Sequence, residues 1–274
     1  MGILELLCLR GHHARKHFRY SGSIRMTQNI RPVEGYISTN NRELDNAFGG
    51  GIPIPSLVLV EGGNDSGKTV IVQQFLYGAI QSGLDATVLT TENTTRSFLS
   101  QMKLLHIDLD RAFIQGRLRI IPIHVKNIVW TEYRLSKLLA TLTSFIEKNK
   151  SKIFLIDSLT YMFAEAGMDD ILTFFSRLKK LTEPSDPTVA QAKTVIGTLH
   201  SDFHGDDSEH HLVRLRALCD AHIRLSKDVA SGQINRRIEV AKLKGSQLMT
   251  NKISSFEIHP AFGVRVVPTS EALG

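Results

Sequence analysis

The chain has 274 residues, enough for one large domain or two small ones, and its 42% hydrophobic and 22% charged content is that of a soluble globular protein with a sizeable core. Two cysteines, Cys8 and Cys219, give no disulfide framework and suit a reducing compartment, and no apolar run nears the roughly 18–20 residues of a membrane span. The net charge of +6 argues against a general nucleic-acid binder, because Arg10, Arg15, Lys16, Arg19 and Arg25 against Glu5 put +4 of it in residues 1–25 and leave +2 for the body.

Residues 1–25 read as a basic, disordered tail. The apolar run Ile3–Leu9 contains Glu5 and has no basic flank before it, unlike a secretory signal, and Gly2 lacks the hydroxyl residue at position 6 that myristoylation needs. His12, His13 and His17 read as solvated side chains rather than metal ligands. Met26 is an alternative start of translation, and residues 26–274 are expected to form a single domain.

Gly35 to Pro55 is a lead-in segment, with Ser38 and Thr39 before a short helix at 41–45 and a glycine-rich turn over Gly49–Pro53. Leu57–Val60 is apolar, rich in β-branched residues and too short for a helix, so it reads as a buried strand. It leads into G-x-x-x-x-G-K-T at Gly62, Gly67, Lys68 and Thr69, and then into a helix with Val72, Phe75, Leu76, Ala79 and Ile80 on one face, stopped by Gly83. Strand, glycine loop and helix in that order is the setting of a phosphate-binding P-loop. Glycines let successive N–H groups face one anion, and the helix start adds its own N–H groups and positive dipole end. Gly62, Gly63, Asn64, Asp65, Ser66, Gly67, Lys68, Thr69 and Val70 therefore form the expected nucleotide-binding segment, with Lys68 reaching the β- and γ-phosphates and the Thr69 hydroxyl ligating Mg²⁺.

Beyond it strands and helices alternate. Strands are expected at 86–91, 118–123, 153–156 and 194–199, and helices at 95–105, 131–148, 169–181 and 209–218; Ile171, Leu172, Phe175, Leu178 and Leu181 are the inward positions of the third of these helices. From Ala221 the pattern turns to strands alone, at 221–225, 236–243, 254–258 and 263–267. The expected fold is α/β: a mostly parallel twisted sheet flanked by helices, with a C-terminal antiparallel extension.

In such a sheet ligands sit beyond the carboxyl ends of the strands. Asp157 ends a buried strand and is placed to hold Mg²⁺ through water opposite Thr69. Glu92 ends the strand after the P-loop helix and is the candidate base for polarising a water; a solvent-facing strand-end residue is the alternative. Thr198 and His200 end the fifth strand, where His200 is a candidate γ-phosphate sensor; a satisfied, partly buried histidine is the alternative. Ser201–His211 is dense in His and Asp but fits no tetrahedral metal template, so it reads as a polar loop. Lys242 and Lys244, in KLKGS, are either exposed strand residues or cations that reach a neighbouring subunit's nucleotide.

ISTNNRELDNAFGGGIP, GGNDSGKT, TTENTTRSF, IFLIDSLT and AKLKGS, in this order, resemble the RecA superfamily and its KaiC-like branch. FGGGIPIPSLVLVEGG, LTTENTTRSFLSQMKLL, RLRIIPIHV, DDILTFFSRLKKL and FEIHPAFGVRVV resemble, within that branch, the FlaH or ArlH family of archaellum (archaeal flagellum) motor accessory proteins. The likeness covers about residues 36–268. It implies a RecA-like fold and ATP binding with Mg²⁺, through Lys68, Thr69 and Asp157. It also implies a homo-oligomeric ring stacked on the hexameric motor ATPase and a cytoplasmic scaffold protein, beneath the membrane platform protein. Relatives of the clock type carry two adjacent glutamates where this chain has Glu92-Asn93, and an arginine where it has Lys244. Both departures imply slow or absent hydrolysis, and thus a cytoplasmic regulatory ATP-binding subunit at the archaellum base. An active ATPase or autokinase with Glu92 as base is the alternative; a DNA-dependent recombinase is disfavoured because no basic-aromatic strip is present.

Overall fold

The computed structural model describes residues 35–124, 131–164, 166–183, 191–201, 209–230, 233–246, 253–260 and 263–267, all within the unit Arg31–Gly274. The tail 1–25 and most of the Ser201–His211 loop lie outside these residues.

The expected central strand is β3 (Leu57–Gly62), buried along its whole length. Its neighbours arise from the other short apolar runs: β4 (Ala86–Thr90), β5 (Leu118–Pro122), β6 (Ile153–Asp157) and β7 (Thr194–His200). Continuous apolar strands of this kind are stable only when both faces are covered. Helices α2 (Lys68–Gln81), α3 (Thr95–Leu104) and α4 (Asp110–Ile114) lie over one face, where Val58, Val60, Ile71, Val72, Phe75 and Val88 share a core. On the other face α5 (Glu132–Lys148), α6 (Thr160–Phe163), α7 (Met168–Leu181) and α8 (Glu209–Leu218) enclose Leu57, Leu59, Phe154, Ile156, Phe174 and Phe175.

Among the described residues nine strands form one sheet, which adds β8 (Ala221–Ala230), β9 (Gln233–Leu243), β10 (Ile253–His259) and β11 (Gly263–Val267) in the order β11-β10-β9-β8-β3-β7-β6-β4-β5. Every pairing from β8 to β5 is parallel, and those from β8 to β11 are antiparallel. This is the α/β architecture expected from the pattern.

Three local differences have physical causes. The strands expected at 221–225 and 236–243 are longer. β8 pairs with β3 only as far as Leu225, then continues with β9 alone to Ala230. Among the described residues that outer hairpin leaves Val229 and Ile234 exposed, and its sequence carries no apolar run to mark it. The glycine-rich turn before β3 holds a two-stranded ribbon, β1 (Tyr36–Ile37) against β2 (Ile52–Pro53), flanking the short helix α1 (Arg42–Ala47). In α7 Phe174 takes the fully buried position expected of Leu172, which is only partly buried.

Candidate nucleotide-binding site

β3 delivers the chain to the glycine loop at the carboxyl edge of the sheet, and α2 leaves from it. A Cβ at Gly62 would stand 2.5 Å from Ser66 Oγ and 2.7 Å from the Leu225 carbonyl oxygen, so the loop closes only over a glycine. Gly67, at φ +97°, caps α2, whose first-turn N–H groups face out of the helix. Lys68 is 7% exposed, and its Nζ donates to the Gly62 and Gly63 carbonyl oxygens, each at 2.7 Å. The ammonium is therefore drawn back across the loop, beside the N–H groups that would meet phosphate.

Asp157 lies at the end of β6, and β7 stands between β6 and β3. The Thr198 hydroxyl, on β7, donates to Asp157 Oδ1 at 2.7 Å, and the Thr69 hydroxyl reaches the same oxygen at 3.4 Å. Asp157 Oδ2 is buried with no hydrogen-bond partner among the described residues. Burial pushes this carboxyl up to about 6, Glu92's charge adds to the shift, and the hydrogen bonds from Thr198 and Thr69 oppose it. A lone carboxylate oxygen beside a threonine hydroxyl at the start of a P-loop helix fits a hydrated Mg²⁺, which keeps several waters and takes one or two protein oxygens.

Glu92 and His200 come together, with His200 Nε2 3.8 Å from Glu92 Oε1. Asn93 is engaged elsewhere: its Oδ1 accepts from Ser97 Oγ and Gln101 Nε2, both at 3.0 Å. Lys242 and Lys244 are not part of this cluster. β9 pairs Leu243 with Ala221, which pairs with Val58 at the starting end of β3, about 13 Å of strand away from Gly62. Lys242 Nζ donates to the Arg216 and Ala217 carbonyl oxygens in the last turn of α8, and burial together with Lys244's charge lowers its pKa. Lys244 is exposed, 3.7 Å from Asp220.

Two cations that carry no motif stand at the loop instead. Lys227 and Arg236 face each other across β8 and β9. Arg236 Nε donates to the Asp65 carbonyl oxygen at 3.1 Å, and Lys227 Nζ lies 3.6 Å from the Asp65 carboxylate. Only the hairpin register, invisible in composition, brings them there. Behind the loop, Glu61 is buried with Arg216 Nη2 at 2.8 Å and His222 Nε2 at 3.2 Å. Burial raises its pKa, but the nearby His222 and the hydrogen bonds from Arg216 outweigh that and leave it lowered.

A cleft of about 420 Å³ opens between α2 and α3, lined by Thr69, Val70, Gln73, Glu92 and Asn93 on one side and by Gln101 and Leu104 of α3 and its cap residue Leu105 on the other.

The KaiC ATPase family model matches residues 37–271, nearly the whole described body. The archaeal flagellar ATP-binding protein FlaH of Sulfolobus acidocaldarius is 32% identical over 85% of this chain and 97% of its own. The chain belongs to the FlaH family of KaiC-like ATPases. FlaH of Methanocaldococcus jannaschii is 26% identical over 86% of this chain and 97% of its own. A crystal structure of the flagellar accessory protein FlaH from that organism superposes with a TM-score of 0.70 at 24% identity, covering 86% of this chain and 99% of that one. The FlaH-type chain thus has the RecA-like fold of the KaiC branch. Among its described residues no helix is long and apolar enough to cross a membrane.

Proposed function

We propose that this chain is the ATP-binding regulatory subunit of an archaellum motor, in which nucleotide occupancy controls ring assembly and contact with the motor ATPase, with little or no hydrolysis. The observation that carries the reading is the pairing of an intact phosphate site with an incomplete hydrolytic one. Lys68, the α2 start, Thr69 and the orphaned Asp157 oxygen suit Mg²⁺·ATP. Bound there, Mg²⁺ would neutralise phosphate charge between Thr69 and, through water, Asp157; Lys227 and Arg236 add positive charge at the loop's outer edge. The neighbour of the candidate base, by contrast, is a carboxamide tied to Ser97 and Gln101, unable to take a proton. The cleft between α2 and α3 adjoins the P-loop helix, and its mix of leucines and amides suits the base.

A switch needs no turnover: a ligand that prefers one assembly state biases it by its differential affinity alone. Lys242 and Lys244 lie too far along the sheet to serve their own P-loop; Lys242 is held at the end of α8, and in a ring exposed Lys244 is the candidate to reach a neighbour's nucleotide, an ordinary exposed strand residue being the alternative. The partners are the hexameric motor ATPase and the cytoplasmic scaffold, with the chain cytoplasmic and peripheral beneath the membrane platform protein; no specific nucleic acid is expected. The experiment is to purify the chain, measure ATP affinity and phosphate release, and capture the motor ATPase with and without Lys68→Ala. Capture that needs Lys68 and ATP, with turnover well under the ~1 s⁻¹ of ordinary enzymes, is the expected result. The second reading, hydrolysis with Glu92 as base, draws on Glu92's charge at Asp157 and its approach to His200. Steady phosphate release abolished by Glu92→Gln would favour it.

A further inference from the structure

One side chain in the cleft beside the P-loop is buried and yet unsatisfied. Gln73 follows Thr69 by one turn of α2, is 1% exposed, and its Nε2 has no hydrogen-bond partner among the described residues. A buried amide donor left unpaired weakens the fold that carries it, so such groups are few and call for a cause. Here the cause is in view, because Gln73 lines the α2–α3 cleft. Gln101, the amide opposite, is already occupied with Asn93. Thr69, Glu92 and Asn93 make a polar side of the cleft towards the glycine loop, while Val70, Leu105 and Leu104, the last of these 71% exposed, give it apolar walls. Apolar surfaces for a flat ring, one unpaired amide for its edge, and a phosphate loop at Thr69 together describe a nucleobase seat.

Resting on the reading of this site as an ATP site, we propose that the Gln73 carboxamide reads the purine edge and selects adenine over guanine. A carboxamide presents a donor and an acceptor side by side. Adenine's N6 amino group and N7 present the complementary acceptor-and-donor pair, so two hydrogen bonds form at once. Guanine at the same edge offers O6 and N7, both acceptors, so the Gln73 oxygen would face a lone pair and desolvate without return. No sequence motif marks this residue. It lies outside the P-loop, and what distinguishes it is burial on the α3 side of α2 without a partner.

The test is a set of dissociation constants in Mg²⁺ for ATP, GTP, 7-deaza-ATP (which lacks N7) and tripolyphosphate (which lacks any base), measured on the full chain and on Gln73→Met. The wild-type chain is expected to bind ATP about 10-fold or more tightly than GTP or 7-deaza-ATP. Gln73→Met, which keeps the side-chain volume, is expected to bring all three within about twofold of one another while tripolyphosphate binding is retained. Equal wild-type affinity for ATP, GTP and 7-deaza-ATP overturns the assignment, as does a Gln73→Met chain that keeps the ATP preference. Should Gln73→Met lose tripolyphosphate as well, the wild-type ligand series decides alone. A wild-type chain that binds neither ATP nor tripolyphosphate would instead refute the nucleotide site itself, which is a different outcome.

Discussion

Two carboxylates sit within a few ångströms of the phosphate loop, and their surroundings push them in opposite directions. Asp157 is raised from 3.8 to about 6 by burial. The folded chain therefore holds its proton more tightly than the unfolded one does. The buried carboxylate weighs against folding above about pH 6, and that penalty is gone below the unfolded value. Asp157→Asn carries no such penalty at any pH. In urea titrations the wild type should gain on Asp157→Asn by on the order of 1–2 kcal/mol between about pH 7.5 and about pH 5; a pH-independent difference would show that burial does not perturb Asp157. Glu61 behaves the other way. Its depressed pKa contributes stability that is present above its ordinary 4.5 and lost as pH falls through the folded value. Removing Arg216 takes the hydrogen-bonded partner from a charge 3% exposed and leaves His222 beside it. Arg216→Met should therefore destabilise the chain by about 3–5 kcal/mol in urea titration, and adding Glu61→Leu should recover most of the loss. Additive losses in the double variant would mean that Arg216 acts through packing.

At the scale of elements, α2 is the pivot, buried on nearly every side. It is closed in by the lead-in segment, whose Ser38 carbonyl oxygen would stand 1.6 Å from a Cβ at Gly78. Intrinsic helix propensity favours alanine over glycine by about 1 kcal/mol, but here the clash decides. Gly78→Ala should lower stability by about 2 kcal/mol or more, and a rise in the melting temperature would contradict the close approach. The lead-in segment is itself tied down by Asp45, which accepts from the Thr39 backbone N–H at 2.7 Å and its hydroxyl at 2.6 Å, while Gln74 Nε2 on α2 donates to the Thr39 carbonyl oxygen. Much of this level was legible in the residues. The apolar runs at β3, β4, β6 and β7 mark buried parallel strands without ambiguity, and the spacing from Gly62 to Thr69 is local enough to name the phosphate loop outright. Asp157 is legible for the same reason, as an acid ending an apolar run. Gln73, Lys227 and Arg236 were not. Their roles depend on which helix packs beside α2 and on the register of an uncovered hairpin, and neither leaves a periodic trace. Asn93 could be seen as no base, but its hold on Ser97 and Gln101 required α3 to be in place.

For the molecule as a whole, the arrangement separates two functions along one sheet. The glycine loop, the Thr69 and Asp157 oxygens and the α2–α3 cleft gather at the carboxyl edge, whereas Lys242 and Lys244 sit at the opposite end of β8 and β9. Lys242 also caps α8, whose Arg216 holds Glu61 directly before Gly62, so a single helix touches both ends. Assembly should follow occupancy: sedimentation velocity is expected to show a larger species with Mg²⁺·ATP than without, and no such species for Lys68→Ala. An assembly state indifferent to nucleotide would remove the switch while leaving the binding site intact. The central claim is more basic, that the loop from Gly62 to Thr69 clasps a triphosphate through its amides and one ammonium. Calorimetric titration of Mg²⁺·ATP into the full chain and into Lys68→Ala tests it most directly. The account predicts saturable one-site binding that weakens by about 100-fold or more, roughly 2.7 kcal/mol, when the ammonium is removed; no binding to the wild type, or the same affinity in both, would contradict it.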